Sequence, residues 1–87
     1  MRDTIEKYAE EWGETIILFE PRELDDALIG IAARIGLRVA AYDYAKLVEI
    51  HHKKLGMNLE EAEEWVQINA MGSYMGDGTP VIVWIPQ

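Results

Sequence analysis

Ala27-Leu28-Ile29-Gly30-Ile31-Ala32-Ala33-Arg34-Ile35-Gly36-Leu37-Arg38-Val39-Ala40-Ala41-Tyr42 is the stretch on which the fold turns. Joined to the residues before it, the stretch continues a helix. Pro21 sits near a helix start, acids follow at Glu23, Asp25 and Asp26, Leu24, Leu28, Ile31 and Ile35 lie on one stripe, and Gly36 is a stop. Taken alone, Ala27 to Ala32 is a buried strand in which Gly30 permits close approach, pairing with Arg38 to Tyr42 across a turn. The pattern over residues 20–36 favours the helix, with the strand as its competitor. Arg38 to Tyr42 reads as a strand in either case.

Upstream, Ile5, Tyr8 and Trp12 recur at helical spacing and Gly13 follows, so residues 3–12 read as a short amphipathic helix. Thr15 to Phe19 is β-branched and apolar and is expected as a strand. Downstream, Asp43 is a good N-cap for a helix ending at Leu55. Its inner stripe is Tyr44, Leu47, Val48, His51 and Leu55; Lys53 and Lys54 suit its negative end and Gly56 its left-handed cap. Asn58 with Glu61 forms a variant capping box, and Met57 can staple onto Ala62, so a second helix starts at once and the two make a tight hairpin. On that second helix Ala62, Trp65, Val66 and Asn69 share an inward stripe. Pro80 to Ile85 is apolar throughout, as in a strand buried on both faces or on one face plus a subunit contact. Together these elements predict an α+β fold spanning residues 1–87 as a single domain, a small three- or four-stranded sheet packed with two to four helices.

The 87 residues suffice for one core but leave it marginal, and an apolar share of 49% argues against disorder. Cysteine is absent, which excludes disulfides and Cys-based zinc sites. The polar opening and the lack of a long apolar run predict neither a signal peptide nor a membrane span, hence a cytoplasmic protein. The net charge of −8 is unevenly spread. Residues 1–27 hold nine acids and three bases, residues 28–58 two acids and five bases, and residues 59–87 five acids and no base. An acidic chain without a dominant basic face disfavours direct nucleic-acid binding, yet the middle segment could hold a small anion.

Asp25-Asp26-Ala27-Leu28-Ile29-Gly30-Ile31, Ala41-Tyr42-Asp43-Tyr44, Gly56-Met57 with Glu60-Glu61-Ala62-Glu63, and Asn69-x-x-Gly72-x-Tyr74-x-Gly76-x-x-Thr79-Pro80 follow one another over residues 24–83. In these pieces the chain resembles a family of short, uncharacterised proteins of tailed bacteriophages and prophages. The resemblance implies a phage origin and action in the host cytoplasm. It implies no particular activity.

Asn69 on an inward stripe must find hydrogen-bond partners, and the glycine-rich turn Met75-Gly76-Asp77-Gly78-Thr79-Pro80 lies close by in sequence. Asn69, Tyr74 and Thr79 could therefore frame a base or sugar with Tyr42, while Arg34 and Arg38 offer paired donors to phosphate. A purely internal role for Asn69, fastening the turn to the helix, is the simpler account of that residue. Asp25 and Asp26 face different ways on either a helix or a strand, so a shared metal would need further ligands. His51 and His52 point about 100° apart on a helix; His51 reads as a satisfied core histidine and His52 as facing out near Glu49. No metal site and no cofactor are expected, and no P-loop, dinucleotide fingerprint or Ser-His-Asp ordering is present, so a non-enzymatic role is favoured. The leading expectation is a phage-encoded counter-defence protein that binds and sequesters a small host nucleotide signalling molecule. The alternative is an acidic nucleic-acid mimic that inhibits a host nuclease or CRISPR effector through Glu60, Glu61, Glu63 and Glu64, or through Glu20, Glu23, Asp25 and Asp26. Trp12, Trp65, Trp84 and the apolar 81–85 segment predict a homo-oligomer.

Overall fold

The computed structural model describes residues 1–70, 72 and 76–86, with Arg34 described in its backbone only. The opening stretch is a β-hairpin. β1 (Leu28–Arg34) pairs antiparallel with β2 (Leu37–Asp43), and Arg34 faces Leu37 across a two-residue turn in which Gly36 takes φ 75°. The favoured helix over residues 20–36 is thus corrected to its competitor. The acids and Pro21 that looked like a helix start instead open a short 3-10 turn, Arg22–Ala27, which ends where β1 begins. Helical phasing would bury Leu28, Ile31 and Ile35 together, but Ile35 sits fully exposed at the hairpin tip. Pairing with β2 overrides the local helical pattern, as long-range contacts do when propensity is weak. A bulge between Leu28 and Gly30 resets the register, with Gly30 at φ 153° and Ile29 turned outward.

β2 is the central strand. After it come α2 (Tyr44–Lys53) and α3 (Leu59–Trp65), and the chain returns as β3 (Val81–Val83), parallel to β2, giving the sheet order β1-β2-β3. Parallel pairing needs such a crossover, which the two helices supply. Their starts follow the capping chemistry read from the sequence, while α2 ends at Lys53, two residues before the expected Leu55, with Lys54 as its C-cap. The Asp43 carboxylate accepts from the Lys46 N–H at 3.4 Å. The Asn58 side chain accepts from the Glu61 N–H at 2.8 Å while the Glu61 carboxylate accepts from the Asn58 N–H at 3.2 Å, a complete capping box. Leu47, Val48, Ile50 and His51 of α2 are buried, and Gly56 takes φ 80° between the helices.

Beyond Trp65 the helix widens into a π turn, Val66–Ala70. This changes which side chain faces inward. An i to i+5 turn unwinds each step, so residues four apart stay aligned. Ala62, Val66 and Ala70 are buried, and Asn69 is exposed with its Nδ2 donating to the Trp65 carbonyl at 3.2 Å. The inward Asn69 is therefore corrected to a surface residue that bonds its own helix.

α1 (Arg2–Trp12) forms as its spacing predicts and buries Ile5 and Ala9. The following segment, residues 14–19, forms no strand ladder. It is fixed by side chains instead: the Phe19 N–H donates to the Tyr42 hydroxyl at 2.8 Å, and the two rings pack with centroids 4.5 Å apart. β3 is likewise short and half covered. Val81, Trp84 and Ile85 are exposed, so the apolar 80–85 segment is an edge and not a strand buried on both faces. Ile5, Leu24, Tyr42, Leu47, Ile50 and Val66 form the centre of the core.

The π-turn phasing has a direct test in chemical denaturation. Asn69→Ala is expected to change unfolding free energy by less than about 0.5 kcal/mol, as surface substitutions do. Ala70→Asn, which places an amide where only carbon is accommodated, should cost about 1–3 kcal/mol.

Candidate functional site

α1 lies against the hairpin without sealing it. Between them runs a groove of about 350 Å3, walled by Ile5, Tyr8 and Trp12 and floored by Gly30, Ile31 and Arg38. Gly30 keeps this floor low, because nothing occupies the space a Cβ would fill there. Tyr8 and Trp12, one helical turn apart, stack with centroids 5.3 Å apart and planes inclined by 9°, and remain 44% and 39% exposed. The Arg38 guanidinium lies over the Trp12 ring, 4.1 Å from its centroid, and its Nη1 donates to Glu14 Oε1 at 2.8 Å. An aromatic shelf thus ends in a cation oriented by the ring beneath it, a contact worth about 0.5–1 kcal/mol at an exposed site.

The residues expected to share a site do not converge. Arg38 is in this groove. Thr79 lines a separate cavity of about 230 Å3 with Asp77, Ala32, Leu37, Val39 and Val81, and its hydroxyl donates to the Gly76 carbonyl at 2.6 Å. Asn69 borders a shallow, acid-rimmed depression with Glu61, Glu64 and Trp65. Tyr42 is fully buried, its phenol raised above its ordinary value by burial and its oxygen taken by Phe19. It is a core residue whose hydroxyl is engaged inside the protein. The Arg34 side chain and Tyr74 lie outside the described residues.

The sequence puts Tyr8 and Trp12 at helical spacing with Ile5 on an amphipathic helix and does not single out Glu14. The available signal was the four-residue spacing of two large aromatics at the end of a helix, facing a strand that carries a glycine.

The two acidic faces also separate. Asp25 receives a two-pronged contact from Arg2, Nε to Oδ2 at 2.7 Å and Nη2 to Oδ1 at 2.9 Å. Asp26 pairs with Lys54 at 2.7 Å, which holds its carboxyl below its ordinary value. Neighbouring aspartates are thereby drawn to different partners. By contrast, Glu60, Glu63 and Glu64 on α3 are exposed, and no ion pair among the described residues involves them.

His51 departs from its expected satisfaction. It is buried, its ring lies 4.1 Å from the Trp65 ring, and among the described residues neither ring nitrogen has a hydrogen-bond partner. Its partner on the chain, His52, is exposed and its Nδ1 is 2.8 Å from the Met57 carbonyl oxygen. Burial alone pushes the His51 imidazole below its ordinary value.

No protein-family model matches the chain, and no curated protein and no solved structure is significantly similar to it.

Two outcomes are expected of the buried polar groups. Tyr42→Phe leaves the Phe19 N–H without an acceptor in the core and should cost about 1–3 kcal/mol in urea unfolding. For His51, the folded state takes up a proton less readily than the unfolded chain. Its contribution to stability is therefore complete above the ordinary value of 6.5 and declines as pH falls below it. His51→Phe should flatten the fall in thermal midpoint between about pH 7 and pH 5.5; a variant that tracks the wild type over that range would contradict this.

Proposed function

We propose that the protein is a non-enzymatic, phage-encoded counter-defence protein that sequesters a small host nucleotide signalling molecule in the host cytoplasm, and that the groove between α1 and the hairpin is where it binds. The observation that carries this reading is the Arg38 guanidinium held over Trp12 at the end of an apolar groove. A nucleotide joins a flat ring to phosphate, and the groove joins a flat apolar slot to a phosphate-matching cation. Its volume of about 350 Å3 falls in the range of small-ligand sites, at the lower end. Tyr8 and Trp12 present amphipathic rings at its rim, which favour aromatic ligands. No carboxylate or imidazole is among the described residues that line it, so its chemistry supports retention in preference to reaction. Sequestration needs only tight binding. Self-association through the exposed Val81, Trp84 and Ile85 edge belongs to the same proposal.

A second reading has one observation in its favour, the exposed acidic face of α3, where Glu60, Glu63 and Glu64 make no ion pair among the described residues. As a decoy for nucleic acid, Glu60, Glu63 and Glu64 would dock on a basic protein surface, and binding would weaken steeply with salt. The 20–26 face suits that role less, since Arg2 and Lys54 partly neutralise Asp25 and Asp26.

A panel of cyclic and ADP-ribose-type nucleotides should raise the thermal midpoint of the wild type. Losing a charge-assisted contact costs about 1.5–3 kcal/mol, so Arg38→Ala should weaken binding roughly ten- to a hundred-fold. Trp12→Ala should act in the same direction, while Asn69→Ala and Thr79→Val should leave affinity unchanged. Reversing the α3 acids should also have little effect. The absence of any midpoint shift across the panel would remove the support for this reading.

A further inference from the structure

We propose that Glu14 sets the ligand class of the groove by holding the anion position on Arg38, so that a phosphate or pyrophosphate group displaces it and a carboxylate does not. This deepens, and rests on, the reading of the groove as a nucleotide site.

The arrangement begins with the end of α1. Gly13 takes the left-handed conformation, φ 67°, directly after Trp12. The N–H groups of Gly13 and Glu14 then donate to the carbonyls of Glu10 and Ala9 at 3.2 and 2.9 Å, which pins the backbone of Glu14 to the helix end. Trp12 and Glu14 flank one fixed glycine, and both reach the same guanidinium. Trp12 lies beneath its plane and Glu14 meets its Nη1. Across the ladder from Arg38 stands Ala33, whose small side chain leaves the groove side of the pair open.

The Glu14 contact is a single-point one. Among the described residues Arg38 uses only Nη1, and its remaining N–H donors have no partner. The side chains of Arg38 and Glu14 are 40% and 39% exposed, so the pair is screened by water and weak. A phosphate group brings more negative charge and paired oxygens that match the fork of the guanidinium, which makes exchange for Glu14 favourable. A ligand carboxylate offers the same group that is already there and must also leave water to do it. Glu14 therefore discriminates by competing, raising the threshold an incoming anion has to pass. The released carboxylate is already at the surface and stays solvated. Trp12 holds the guanidinium in place during the exchange, so the site does not collapse when Glu14 leaves.

The test compares inorganic pyrophosphate, ADP and acetate by isothermal titration calorimetry on the full chain, as wild type, Glu14→Gln and Glu14→Gln/Arg38→Ala. Pyrophosphate should bind Glu14→Gln about two- to five-fold tighter than wild type, as release of a weak exposed pair allows, and the double variant should lose that gain. Acetate binding should be measurable in Glu14→Gln only, narrowing the preference for phosphate over carboxylate. Thermal midpoints of wild type and Glu14→Gln should agree closely, since the pair is half exposed. Equal or weaker pyrophosphate binding to Glu14→Gln overturns the proposal. If wild type retains ADP well while Glu14→Gln is unchanged, the nucleotide reading stands and the role of Glu14 falls. If pyrophosphate binds Glu14→Gln more tightly than wild type but ADP binds no tighter than pyrophosphate, the role of Glu14 stands and the aromatic half of the nucleotide reading falls.

Discussion

The hydroxyl of Tyr42 fixes more of this molecule than any other polar atom. It lies on the central strand, fully buried, and accepts the N–H of Phe19 from a segment that has no ladder of its own. Residues 14–19 connect α1 to the rest of the chain, so where that segment runs decides where α1 rests. Ring packing between Phe19 and Tyr42 and partial burial of Ile16 and Leu18 add area to the one directed bond. Area alone is non-directional and would let the segment slide. At the other end of α1, Arg2 closes the frame by grasping Asp25 with two nitrogens and reaching the Phe19 carbonyl at 3.3 Å. The helix is thus tied at its start to the 3-10 turn and at its finish to Arg38, and the groove is the space left between two anchored ends.

What was legible in the sequence was mostly local. Asp43, the Asn58–Glu61 box and Gly56 each act within a few residues, and the helical hairpin forms with both helices starting as read and α2 ending two residues early, at Lys53. The hairpin of β1 and β2 was readable only as a competitor because its decisive contacts lie across the sheet, where no single-segment pattern records them. Asn69 shows a different limit. Its position assumed one regular period from Asn58 onward, and five residues of π turn were enough to pass the inward place from Asn69 to Ala70. Thr15 to Phe19 carries strand-like residues for another reason, since it packs on the core without pairing.

The candidate site was less legible than the fold. From the sequence Tyr42 offers a phenol to a ligand, yet its place on a central strand consumes that phenol internally. Tyr8 and Trp12 were visible as a spaced pair, and their spacing is equally that of a buried stripe. Gly30 lines the groove opposite them and leaves open the space a Cβ would fill, and no spacing pattern along α1 records that. Glu14 had no sequence signal at all, since its role depends on a strand residue 24 positions away.

Charge counting had pointed to the middle of the chain as an anion-binding region, and the side chains show why a count is a poor guide. Lys46 and Lys53 both lean on Glu49, and Lys54 reaches Asp26, so all three lysines between residues 28 and 58 are engaged in solvent-exposed pairs. Such pairs scatter the positive charge over the surface, and salt screens what remains. Arg38 differs in its surroundings and not in its charge. An aromatic face orients it, an apolar groove borders it, and its one carboxylate partner holds a single nitrogen. Binding strength for a small anion depends on open donors beside a poorly hydrated wall, where the effective dielectric is lower than in water. Of these four cations, Arg38 is the one that lies over an aromatic face, while the three lysines are held by carboxylates alone.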